Sequence, residues 1–200
     1  MKKKVFVAAV FVFLFCVMLP VLLVAVSRKN ADRAASRVQP LPQYDMVHVL
    51  LYGYDRDTVS GRITLYSEDG NVVSTIERSW NADSVMISFA EFSYGSKVFV
   101  FPYSVSRSGS GKAFSGIYLP NYYLSANKCH LVSSKKAEEI QKEYARIAHF
   151  ATSRFFSKFS SSRSIQTVNL SLCQPGIEYE IQFTQQGKAL VFPVAGDYLS

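Results

Sequence analysis

Three short patterns in this 200-residue chain bring together residue types capable of chemistry. Ser133-Ser134-Lys135-Lys136 contains Ser-x-x-Lys at the start of a helical stretch, a spacing that sets a lysine beside a nucleophilic serine. Read functionally, it makes a membrane-anchored serine-dependent hydrolase the enzyme alternative. The same spacing recurs at Ser125 and Lys128, no Lys-Thr-Gly follows, and Ser133 or Ser134 would equally cap the helix. Gly109-Ser110-Gly111-Lys112 suggests a phosphate loop. However, Ser106 stands where the first glycine belongs, Ala113 follows the lysine, and no helix begins there to supply anion-binding N–H groups. Asp55-Arg56-Asp57 could offer two carboxylates to a divalent cation, at a place where an acidic turn between strands is expected. His48, His130 and His149 show no zinc-ligand spacing. No catalytic residue, metal or cofactor is therefore expected.

Two further sets of side chains suggest structure and binding. Cys16 lies in an apolar run, which leaves Cys129 and Cys173 in the body of the chain. In an exported domain they could form one disulfide, closing a loop of about 45 residues for roughly 3–4 kcal/mol; the alternative is two buried free thiols. The aromatic set is large. Tyr52 and Tyr54 follow an apolar strand, while Tyr118, Tyr122 and Tyr123 surround Leu119-Pro120-Asn121. Exposed tyrosines are typical binding anchors, so these five are the candidate binding surface.

The elements that must position these residues follow from periodicity. Residues 46–52 are a nearly continuous apolar run, as in a buried strand. Segments 62–67 and 72–77 flank Glu68-Asp69-Gly70-Asn71, a hairpin signal. Residues 85–89 and 97–103 alternate, and Pro102 ends the second of these strands or places it at an edge. A weaker strand is expected over 114–119, after a flexible loop at 106–112. Over 134–159 the period changes: Ala137, Ile140, Tyr144, Ile147, Ala148, Ala151, Phe155 and Phe159 line one face of an amphipathic helix. Strands return at 165–172, 177–184 and 189–194, the second alternating cleanly from Ile177 to Thr184.

The N-terminus reads differently. From Val5 to Val26 there is no charge. A helix over that run spans roughly 33 Å, close to a hydrocarbon core of about 30 Å. The expectation is an uncleaved membrane anchor over 1–27, contacting the bilayer through residues 5–26 and flanked by Lys2, Lys3, Lys4, Arg28 and Lys29. The alternative is a cleaved signal peptide, with Pro20 as a helix breaker and Ala25-Val26-Ser27 as the processing site, which would leave a secreted protein. Residues 28–43, small and polar and ending in Pro40 and Pro42, read as an extended tether. Residues 44–200 form one domain on the far side of the membrane from a short, lysine-bearing N-terminal tail.

Charge narrows the function. The formal net charge is +7, of which residues 1–42 hold +6. The domain is nearly neutral, which removes most of the case for nucleic-acid binding. Within it, residues 128–163 carry eight bases against three acids. The fold class is α+β: an N-terminal transmembrane helix, then a largely antiparallel β domain with one long amphipathic helix. The function expected is non-catalytic binding or envelope assembly outside the cytoplasm, with a protein partner in or near the membrane.

Overall fold

The Glu68–Asn71 turn forms as its residues dictate. Gly70 takes a positive φ of 75°, its N–H donates to Ser67 O, and strands leave on both sides. In the computed structural model, residues 2–41, 45–55, 57–107, 116–155, 162–184 and 186–194 are described, with side chains from residue 18 onward. The order is α1 (Lys2–Arg37), β1 (Val47–Asp55), β2 (Thr58–Tyr66), β3 (Val72–Asn81), β4 (Val85–Tyr94), β5 (Lys97–Arg107) and β6 (Ile117–Tyr118). There follow α2 (Pro120–Tyr123), α3 (Glu138–Thr152), β7 (Arg163–Asn169), a 3₁₀ turn (Leu170–Leu172), β8 (Glu178–Phe183) and β9 (Ala189–Pro193). The protein is α+β, with antiparallel pairing between the strands and a helix at its N-terminus.

The strands form two sheets rather than one. Sheet A has the order β3-β2-β1-β8-β9, and sheet B the order β6-β5-β4-β7. They stack, with helices on the far side of sheet B. Phe89 of β4 meets Phe183 of β8 edge-on at 4.7 Å between ring centroids. On the opposite face of β4, Phe92 lies across from Phe99 of β5 in register. These two rings meet α3, Phe92 against Phe150 and Phe99 against Tyr144. Sheet B is thus buried on both faces, and sheet A only on the face toward sheet B.

Pro102 lies inside β5, not at its end. It sits at a register shift, opposite Phe89, and β6 reaches only Ser104 and Val105. At Pro102 the strand is therefore locally an edge, which is where a residue without an N–H donor fits. The helix expected over 134–159 is shorter: α3 begins at Glu138 after Ala137, with no side-chain cap. Ser133 Oγ instead accepts from Lys135 N–H in the preceding turn. The C-terminal limit is set at Thr152, whose carbonyl accepts from Tyr118 OH, and Ser153 is extended. Phe159 and residues 108–115, which hold most of the expected loop, lie outside the described residues.

The largest departure concerns residues 28–37. Expected as an extended tether, they continue α1 as helix, and the helix also runs through Pro20. Ala31, Ala34, Ala35 and Val38 recur at three- and four-residue steps and are all buried. Small side chains allow two helices to approach closely, and α3 is the principal neighbour of α1. Among the described residues, no helix is long and apolar enough to cross a membrane. The side chains of residues 5–17, most of the apolar run, lie outside that description, as do those of Lys2, Lys3, Lys4 and Cys16.

Candidate functional site

The best-built polar constellation is the one that fixes the end of α1. Glu143 of α3 accepts from Arg37 Nη1 and from Arg146 Nη1, each at 2.8 Å. Burial pushes the Glu143 carboxyl up, but the two guanidiniums more than offset it, and the group is held below the usual glutamate range. Lys97 Nζ donates to the Ala35 and Val38 carbonyls at 3.2 and 2.8 Å. Those are acceptors at the helix C-terminus, where a cation also complements the dipole. Tyr144 OH donates to Gln39 O. The side chains of α3 and β5 thus hold the last turn of α1 and the residues after it. Earlier on α1, Arg28 forms an i,i+4 pair with Asp32 at 3.9 Å, and Lys29 is exposed.

The Ser-x-x-Lys pattern is brought together but put to another use. Lys136 Nζ lies 2.7 Å from the Glu68 carboxylate, and Ser133 N–H donates to the same group. The Lys136 ammonium is thus engaged by Glu68 rather than by the Ser133 hydroxyl, and Ser133 is itself buried. These contacts tie the segment before α3 to the β2–β3 turn.

The five tyrosines do not form one surface. Tyr123 is wholly buried, and its OH donates to Pro102 O. Tyr118 packs edge-on against Tyr103 at 5.7 Å, while Tyr122 is exposed beside it on α2. Tyr52 and Tyr54 lie on β1 of sheet A. Both are exposed, Tyr52 donating to Glu77 and Tyr54 to Cys173 O. Helix formation at Pro120 turned Tyr123 inward, which the sequence reading missed.

The disulfide is likewise corrected: Cys129 and Cys173 are free, buried thiols. Cys129 lies in the segment whose Leu131 O accepts from Glu68 N–H, at the Val47 end of β1. Cys173 lies at the other end, beside Tyr54. Seven strand residues span roughly 23 Å, far beyond the reach of a disulfide. Burial pushes the Cys129 thiol up to about 12, which makes it unreactive.

Pairing of β1 with β8 assembles a cluster that the sequence did not reveal. His48 lies opposite both Thr64 and Glu180, and its ring packs on Tyr66 at 4.5 Å. Asp45, His48 and Glu180 each offer one ligand atom, all within 4.8 Å of one another. Burial, followed by the adjacent Asp45 carboxyl, holds Glu180 above the usual glutamate range. Glu178 stands 3.7 Å from both His48 Nδ1 and Arg62 Nη2. Donors around a zinc ion are at most about 4.4 Å apart, so metal binding would require the Asp45–His48–Glu180 set to tighten. Residues some 130 positions apart in the chain make this site, and no local spacing announces it. Compared with known proteins, the chain matches no family model, no curated sequence and no solved structure.

Proposed function

We propose that the protein is a single-pass membrane protein whose α+β domain is held outside the cytoplasm as a non-catalytic binding or assembly module. One observation carries this reading: a single helix, Lys2–Arg37, contains the uncharged run Val5–Val26 and then docks on α3. A flexible tether would let a domain wander above a bilayer. A helix pinned through Arg37, Lys97 and Tyr144 instead sets the height and orientation of the domain. That suits a protein that must present a fixed face to a neighbour. The neighbour in this reading is a protein in or near the membrane, approaching the open face of sheet A that bears Tyr52.

Alkaline extraction of membranes expressing the full chain tests the anchor. The intact protein is expected in the pellet, and the domain is expected to be cut by protease added from outside the cytoplasm. Recovery of a soluble chain beginning near Arg28 would establish cleavage and secretion instead. Digestion only from the cytoplasmic side would reverse the topology. A robust hydrolase turnover abolished by Ser133→Ala would overturn the non-catalytic reading.

A further inference from the structure

α1 and α3 run antiparallel. At one end of their seam Arg37 meets Glu143, and at the other Ser27 and Asn30 share a cavity of about 670 Å³ with the C-terminal end of α3. Arg146, His149 and Arg154 line this cavity, and no acidic side chain does among the described residues. Arg154 stacks 4.7 Å from the Tyr118 ring centroid, which holds its guanidinium at the wall. Arg146 uses one nitrogen on Glu143, and a guanidinium carries five N–H donors. His149 Nε2 is 3.0 Å from Ser125 O.

Position along α1 gives the cavity its meaning. Ser27 is the polar residue directly after the run Val5–Val26, and Asn30 lies about 6 Å beyond Val26. A headgroup layer is about 5–7 Å thick on each side of the hydrocarbon. The cavity therefore sits at headgroup depth if the run spans the bilayer. Below it, Leu22, Leu23 and Val26 are exposed, a path that acyl chains can follow. Beside it on α1 stand Arg28 and Lys29, and Phe155 is 51% exposed just after Arg154. Cations and neutral hydrogen-bond donors thus line one cavity with an apolar path beneath it, as the phosphate and glycerol of an anionic lipid lie above its chains.

We infer that this cavity binds the phosphate of an anionic lipid headgroup, with Arg146 and Arg154 as its charged contacts and Ser27 and Asn30 as neutral donors. The inference rests on the membrane-spanning reading of α1. A bound lipid here bridges anchor and domain, and so fixes the rotation of the domain about α1. Free phosphate has the same oxygens, and only the lipid also uses the apolar path.

The full chain reconstituted in vesicles of phosphatidylcholine with phosphatidylglycerol, then extracted in mild detergent, tests this by native mass spectrometry. The wild type is expected to retain phosphatidylglycerol. R146Q/R154Q is expected to lose retention about 25-fold, at about fivefold per base near a membrane surface. R146K/R154K, which keeps both charges, should recover most of it, and R78Q, on exposed β3, should leave it unchanged. Equal retention by wild type and R146Q/R154Q, both membrane-inserted, overturns the inference. So does inorganic phosphate that displaces phosphatidylglycerol and binds with the same arginine dependence in neutral vesicles. Failure of the anchor itself shows separately, as a chain that never enters the vesicles.

Discussion

Strands β4 and β8 both carry alternating aromatic or aliphatic residues, yet they end up in different surroundings. In β8, Ile181 and Phe183 are buried while Glu178, Glu180 and Gln182 stay partly open on the other face. In β4 every residue from Ile87 to Phe92 is buried, and Glu91 survives there only because Ser164 and Gln166 donate to it. Sheet B is a central layer packed between sheet A and the helices. Sheet A has a free face, where the exposed tyrosine of β1 and the Asp45–His48–Glu180 cluster sit. In this molecule one layer is buried on both sides, and the other leaves one face open to solvent.

The sharpest test of that difference truncates one large apolar side chain in each sheet. Phe92→Ala leaves a cavity between β4 and α3, next to Phe99 and Phe150. It is expected to cost about 3–5 kcal/mol in urea unfolding of the full chain in detergent. Leu50→Ala, on the open face of sheet A opposite Arg62 and Glu178, should cost about 1 kcal/mol or less. Comparable losses would mean that sheet A is covered on both faces as well.

The next effect concerns the helical side. Ala34 is wholly buried in the face that α1 turns to the domain. Ala34→Leu overpacks that seam and should cost about 1–3 kcal/mol. Amide exchange over residues 28–38 should accelerate while β2 stays protected. If exchange instead rises uniformly, α1 is not a separately docked element.

How these regions were legible from sequence follows from the same contrast. Strands were found wherever one face alternates, as in 177–184, and the Asp69-Gly70 hairpin was found because its turn chemistry is local. In β4 the alternation runs from Val85 to Phe89 and is then broken by Ala90 and Phe92, because both faces are buried there, so the sequence marks the strand only as far as Phe89. The helical end of α1 carries its signal in alanines, Ala31, Ala34 and Ala35, too small to register as an apolar stripe beside four arginines and lysines. The cluster on sheet A was hidden for another reason: Asp45 and His48 meet Glu180 only through long-range pairing. His48 taken alone looked like an ordinary surface histidine. The Cys129 and Cys173 pairing failed in the converse way, because the separation that decides it is set by the length of β1 and not by chain spacing.

Glu143→Gln probes the ionic part of the seam. The Glu143 carboxyl is depressed in the folded state, so its contribution is fully present above the unfolded value of about 4.3 and fades as pH falls through the folded one. The variant should be less stable than wild type by about 1–2 kcal/mol at neutral pH, at the low end because both arginines are substantially exposed. The gap should close as the solution is acidified below the carboxylate range. A gap independent of pH would mean that Glu143 acts through packing rather than through charge.

The smallest effect has the opposite sign and belongs to sheet A. Glu180 is raised, first by burial and then by Asp45. A raised carboxyl stabilises the fold below the unfolded value of about 4.3, and that contribution is lost as pH rises through the folded one. At neutral pH the Glu180 charge is therefore opposed by burial and by the adjacent Asp45 carboxyl, and Glu180→Gln should stabilise the protein by about 0.2–1 kcal/mol. Thermal unfolding at neutral pH should show the gain, and at pH near 4 the variant and wild type should converge. A loss of stability at neutral pH would mean that His48 and Arg62 together neutralise the pair. The open face would then be organised around a satisfied ionic network rather than around surplus negative charge. Stability in the seam thus falls on acidification, while the open face loses its strain. The two sides of the molecule respond to one variable in opposite directions because cations surround Glu143, whereas a second carboxyl stands beside Glu180.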